Sequence, residues 1–122
     1  MHVIRREEVE DVIRTPTGER IYELVGSAEA SGKASKHSLA EVVIPPGKSS
    51  EPHYHKTAEE TYYLLQGEAR MVIDGKEFAL ASGQACFIGP GEVHQIFNQG
   101  EGELRFLAVC APPWTAEDSF SA

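Results

Sequence analysis

Between Gly47 and Gly67 the chain reads GKSSEPHYHKTAEETYYLLQG, and its reactive groups are His53, His55 and the carboxylate of Glu60. One more histidine, His94, follows in GQACFIGPGEVHQIFN, where a turn leads into a strand-like run. Three imidazoles and one carboxylate are enough to enclose a divalent metal. Neutral imidazole suits Zn, Fe, Cu or Ni, and a carboxylate adds charge and hardness. In an extended strand alternate side chains share a face, so His53 and His55 project together. An isolated His-x-His is more often a chance pair on a solvated strand. Here a Pro45-Pro46-Gly47 turn before the pair, the carboxylate after it and the distant His94 favour a metal site.

Short strands and turns must hold these residues, because the chain has no convincing long helix. Val-Ile pairs at 3–4 and 12–13 read as short strands, with Pro16-Thr17-Gly18 as a turn. RIYELV (20–25) reads as a strand, residues 26–36 as a polar loop, and SLAEVVI (38–44) as a strand stopped by the proline pair. TYYLLQ is a strong aromatic and aliphatic strand. ARMVID and GKEFAL meet across Asp74-Gly75, a two-residue hairpin signal. ACFI, HQIFN and LRFLAVC follow, each set off by glycine-rich turns. Strands of this length and spacing predict an all-β fold, a single antiparallel sandwich or barrel of jelly-roll type. The tail from 112 to 122 opens on Pro112-Pro113; TAEDS reads as one helical turn with Thr115 as its cap, and Trp114 as packing on a sheet edge or dimer seam.

The segment from Gly47 to Gly67 resembles the first motif of the cupin superfamily, G-x5-H-x-H-x3,4-E-x6-G. That spacing assigns the ligand carboxylate to Glu60 rather than to Glu59, because only Glu60 is separated from Gly67 by six residues. Gly83 to Asn98 resembles the second motif, G-x5-P-x-G-x2-H-x3-N, with Gly89 where the family has proline and Pro90 displaced by one. Gly91, His94 and Asn98 keep their places, so the departure touches turn rigidity and no ligand. The resemblance implies one domain over 1–122: N-terminal strands 1–44, a metal-binding barrel core 45–111 and a tail 112–122. It implies the metal ligands His53, His55, Glu60 and His94, with Fe, Mn, Zn, Ni or Cu as the cofactor, and a homodimer paired through N-terminal strands such as RIYELV.

Composition limits the alternatives. A chain of 122 residues with 41% hydrophobic content is the size of one ordinary domain. Its 19 acidic and 11 basic residues leave a formal charge of −8, and no basic stretch offers a footprint for nucleic acid or anionic lipid. The opening MHVIRREEVEDV lacks the apolar core of an export signal, and no apolar run approaches a membrane span. A cytoplasmic protein is expected. Cys86 and Cys110 sit in apolar contexts and read as free, buried core residues rather than as a disulfide or as metal ligands.

Alternation along the strand puts Tyr62 and Leu64 on the face of Glu60, and Ile96 and Asn98 on the face of His94. A pocket lined by Tyr62, Leu64 and Ile96 follows, while Arg70 is expected at the solvated surface. Four protein ligands on a six-coordinate ion leave two positions for a bidentate substrate, or for one substrate atom and O2. Fe or Cu would suit oxygenase chemistry; Mn, Zn or Ni would suit isomerisation, decarboxylation or lyase chemistry. Tyr62 and Glu59 are the candidates for acid–base work, with Tyr54 beside them. The expected function is a small metalloenzyme, an oxygenase or isomerase acting on a small polar metabolite. The alternatives are a metal-assisted binder or sensor for a sugar or organic acid, and a barrel retained for structure alone.

Overall fold

A computed structural model describes residues 1–122. Eleven strands form in chain order: β1 (Ile13–Arg14), β2 (Arg20–Val25), β3 (Ser38–Ile44), β4 (His53–His55), β5 (Glu59–Gln66), β6 (Glu68–Ile73), β7 (Lys76–Ala81), β8 (Ala85–Ile88), β9 (His94–Asn98), β10 (Leu104–Ala111) and β11 (Ser119–Ser121). They make two antiparallel sheets, ordered β1-β2-β3-β10-β5-β8 and β11-β4-β9-β6-β7. Single 3-10 turns at Arg6–Glu8, Glu29–Ser31 and Ala116–Asp118 are the helical content.

The sheets face each other because the strands alternate. In β9 the inward His94, Ile96 and Asn98 are buried and the residues between them are half-exposed. In β5 Glu60, Tyr62 and Leu64 are buried, while Tyr63 and Leu65 face out at 44% and 38% exposure. Leu64, Met71, Ile96, Leu104 and Phe106 are fully buried at 0% in one core cluster, and none of them lines the cavity. Leu64 and Ile96 therefore belong to the packed core and not to the pocket lining expected for them.

Turn chemistry follows the sequence. Asp74 and Gly75 take φ of 48° and 82°, the left-handed pair that a two-residue hairpin between β6 and β7 requires. At Gly67 φ is 97°, and a Cβ there would meet Glu103 O at 3.2 Å, so only glycine lets β5 turn into β6 beneath the next strand's start. Asn98 has a structural role: its Nδ2 donates to Ile44 O at 2.9 Å and Gly102 O at 2.8 Å, and its Oδ1 accepts from Gly100 N at 2.9 Å.

The ends of the chain depart from expectation. Residues 3–4 form no strand, and Val12-Ile13 contributes only the two-residue β1. Thr115 stands before the last 3-10 turn but makes no side-chain cap. The carboxylate in that turn ties it to the loop before β5: Asp118 accepts from Thr57 N and Ala58 N, both at 2.9 Å. The residues after it form β11, which pairs along β4 from His53 to His55.

Candidate metal centre

Three strands bring the ligand set together. β4 presents His53 and His55, β9 presents His94 directly opposite His53, and β5 of the other sheet presents Glu60. The centre thus lies between the sheets. One donor atom from each of the four residues lies within 4.8 Å of the others. Metal–ligand bonds of about 2.1 Å place neighbouring donors about 3 Å apart and opposed donors about 4.2 Å apart, so the set has the right size.

The hydrogen bonds orient the donors. A backbone carbonyl can only accept, so the 2.8 Å contact from His53 Nδ1 to Glu51 O and the 3.0 Å contact from His94 Nδ1 to Glu92 O are N–H donations. Each leaves the Nε2 lone pair free toward the centre, the arrangement a metal-ligating imidazole needs. His55 Nε2 and His94 Nε2 stand 3.4 and 3.3 Å from Glu60 Oε1. All three of these atoms are buried without a hydrogen-bond partner. Orphaned buried donors and acceptors are costly, and a shared cation satisfies all of them at once. The other Glu60 oxygen, Oε2, accepts from the Cys110 thiol at 3.0 Å, because Cys110 lies directly opposite Glu60 on β10. Both cysteines are free and buried.

The electrostatics agree with a cation site. Burial acts to raise the Glu60 carboxyl, but the two imidazoles and the Cys110 thiol beside it prevail and hold it well below the usual carboxylate range. Burial pushes His53 down to about 4, with help from the neighbouring His94, so it stays neutral and able to ligate. His55 is affected by burial in the same direction, yet Glu60 outweighs it and keeps this imidazole above its ordinary range.

A cavity of about 220 Å3 opens from the centre, and His53, His55, Glu60 and Tyr62 line it. Tyr62 is 3% exposed and stands edge-on to the His94 ring at 5.9 Å, and burial raises its phenol well above the ordinary value. Glu59 is exposed and lines no part of the cavity, as alternation from the inward Glu60 requires. Arg70 also lies outside, paired with Glu77 at 2.7 Å and stacked over Phe97. Trp114, expected on an edge or seam, lines the cavity instead, held there by donation of its backbone N–H to Ser38 Oγ at 2.9 Å.

Sequence reasoning missed Glu19. It is 6% exposed, lines the cavity just before β2, and has its carboxyl pushed up to about 8 by burial and by the charges of Glu60 and Glu51. No motif marks it; only the pairing of β2 with β3 brings it there.

Comparison with known proteins is consistent with this architecture. An uncharacterized protein of Methanocaldococcus jannaschii is 38% identical over 87 residues, 71% of this chain and 70% of that one. The oxalate-binding protein of Thermotoga maritima is 36% identical over 91 residues, 69% of this chain and 75% of that one. Among solved structures, a predicted oxalate decarboxylase of T. maritima superposes with a TM-score of 0.75 at 32% identity, covering 90% of this chain and 98% of that one. The oxalate decarboxylase of Bacillus subtilis, studied for its Mn(II) centres, superposes with a TM-score of 0.78 at 25% identity. This chain is covered to 92% there but spans only 30% of that larger chain. Residues 40–110 match the family of cupin domains. That match takes in β4 to β9 whole and most of β3 and β10, and the chain is a cupin.

Proposed function

We propose that this cupin is a divalent-metal-dependent protein that binds and transforms a small oxygen-donating metabolite at the barrel mouth. The observation that carries the reading is the set of three buried, unpartnered atoms, His55 Nε2, Glu60 Oε1 and His94 Nε2, converging beside a cavity of small-molecule size. His53, His55, Glu60 and His94 would hold the ion. When bound, it would supply Lewis acidity and, for a redox-active metal, electron transfer. The Mn(II) centres of the B. subtilis enzyme favour manganese as the first ion to try.

The chain's own groups define the rest of the site. The Nδ1 donations of His53 and His94 fix their rings, and Cys110 steadies Glu60 from behind. Tyr62 keeps its proton and can donate a hydrogen bond to a ligand in the cavity. Glu19 is the acid–base candidate of the mouth, since its buried carboxyl titrates close to neutrality. A second reading, binding without turnover, is favoured by the likeness to the oxalate-binding protein of T. maritima.

Elemental analysis and activity assays test both readings. Purified protein should carry close to one divalent ion per chain, and Glu60→Gln should lose it while Glu59→Gln keeps it. Equal metal content in the two variants would show the assigned carboxylate to be wrong. Turnover of small acids, sugars or diols by the loaded protein separates the enzyme from the binder.

A further inference from the structure

The charges that line the cavity narrow the ligand further, given the metal centre proposed above. We propose that the cavity takes a small amine-bearing chelator, such as an amino acid or amino alcohol, with its oxygen on the metal and its ammonium among Glu19, Glu23 and Glu51.

All three carboxyls line the cavity, and neither lysine nor arginine does. Glu19 is the central observation. Its backbone N–H donates to Thr15 Oγ1 at 3.2 Å, but the residue, 6% exposed, lines the cavity with a carboxyl that no hydrogen bond or ion pair takes up. Glu23 accepts from the Ser31 hydroxyl at 3.2 Å through one oxygen and keeps the other free. A buried carboxyl without a counter-charge is unfavourable and retains its proton. A cationic nitrogen at this place would allow it to ionise and pair.

Charge balance separates the ligand classes. A divalent ion held by three neutral imidazoles and Glu60 carries one net positive charge. A dianion such as oxalate reverses that charge beside Glu51 and Glu23, with no cationic side chain to compensate. A zwitterion neutralises the metal with its carboxylate and the mouth with its ammonium. Trp114 and Phe120 add aromatic faces to the lining, and such faces attract cationic nitrogen.

Calorimetric titration of the manganese-loaded chain with β-alanine, propionate and malonate tests this, because the three are alike in size and share one carboxylate. β-Alanine should bind about tenfold or more tighter than propionate, the usual gain from a hydrogen-bonded ion pair, and malonate should bind least. Glu19→Gln and Glu51→Gln should each shrink the advantage of β-alanine severalfold with manganese stoichiometry unchanged. Malonate binding as tightly as β-alanine, no binding by any of the three, or an advantage intact in both variants would each overturn the proposal. Failure of the wild-type chain to take up manganese or any other divalent ion would instead overturn the metal centre, and this proposal with it.

Discussion

Metal loading should raise the melting temperature, and the structure sets the scale. In the metal-free chain His55 Nε2, Glu60 Oε1 and His94 Nε2 are buried without partners. Each such atom costs about 1–3 kcal/mol, so about 3–9 kcal/mol of penalty awaits relief by a cation. Because three ligands come from one sheet and Glu60 from the other, relief requires both sheets in place, and the unfolded chain cannot offer the same site. Linkage then gives a stabilisation of about 2.7 kcal/mol at a metal concentration a hundredfold above Kd. For a domain of this size that is a rise of about 10 °C. Scanning calorimetry in chelator and in manganese, zinc or iron reads the increment directly. His94→Ala should abolish it. The increment should shrink as pH falls, beginning already above the ordinary imidazole range, because Glu60 holds His55 there and His55 takes up its proton first. A melting temperature indifferent to every ion, or an increment retained in His94→Ala, would refute the reasoning.

Cys110→Ala removes the thiol that donates to Glu60 Oε2 at 3.0 Å, and metal affinity should fall about tenfold in a competition titration, with Cys110→Ser closer to wild type. If Ala and Ser behave alike, the thiol only fills space. In metal-free protein, Glu19 keeps its proton up to about 8, whereas the unfolded chain releases it near the ordinary carboxylate value. The folded state binds the extra proton in between, so this contribution is complete below the ordinary value and is lost as pH rises through 8. Urea midpoints of the wild type should therefore drop from pH 6 to pH 9, and Glu19→Gln should flatten that drop; parallel profiles would place the titration elsewhere. Gly67→Ala puts a Cβ 3.2 Å from Glu103 O at a φ of 97°, and a loss of about 1–3 kcal/mol is expected by denaturant unfolding. An unchanged midpoint there would mean that the turn relaxes freely.

What the chain discloses before folding is whatever is encoded locally. Alternation placed His53 with His55 and Glu60 with Tyr62, and the Asp74-Gly75 hairpin could be read from two residues. The likeness to the cupin motifs singled out Glu60 over Glu59, and the structure places Glu60 inward and Glu59 outward. What stayed hidden depends on distant partners. Glu19 has no neighbour in sequence that reveals its burial, and Trp114 is drawn to the cavity by Ser38 on β3. β11 has no strong strand composition of its own and exists because β4 offers it an edge. Leu64 and Ile96 were placed on the correct face but at the wrong depth, since alternation reports the side of a strand and not the distance along the barrel.

The clasp made by β11 and Asp118 has a practical corollary for anyone altering this polypeptide. Residues 119–121 are laced to the strand that bears two of the imidazoles, and Ala122 N donates to Pro52 O at 3.1 Å just ahead of them. A chain shortened by residues 115–122 would keep nearly all of its hydrophobic interior while releasing the backbone on which His53 and His55 ride. Weak ion uptake by such a deletion would report a loosened hinge rather than a fault in the donors, so affinity tags and fusions are better joined at the opposite terminus.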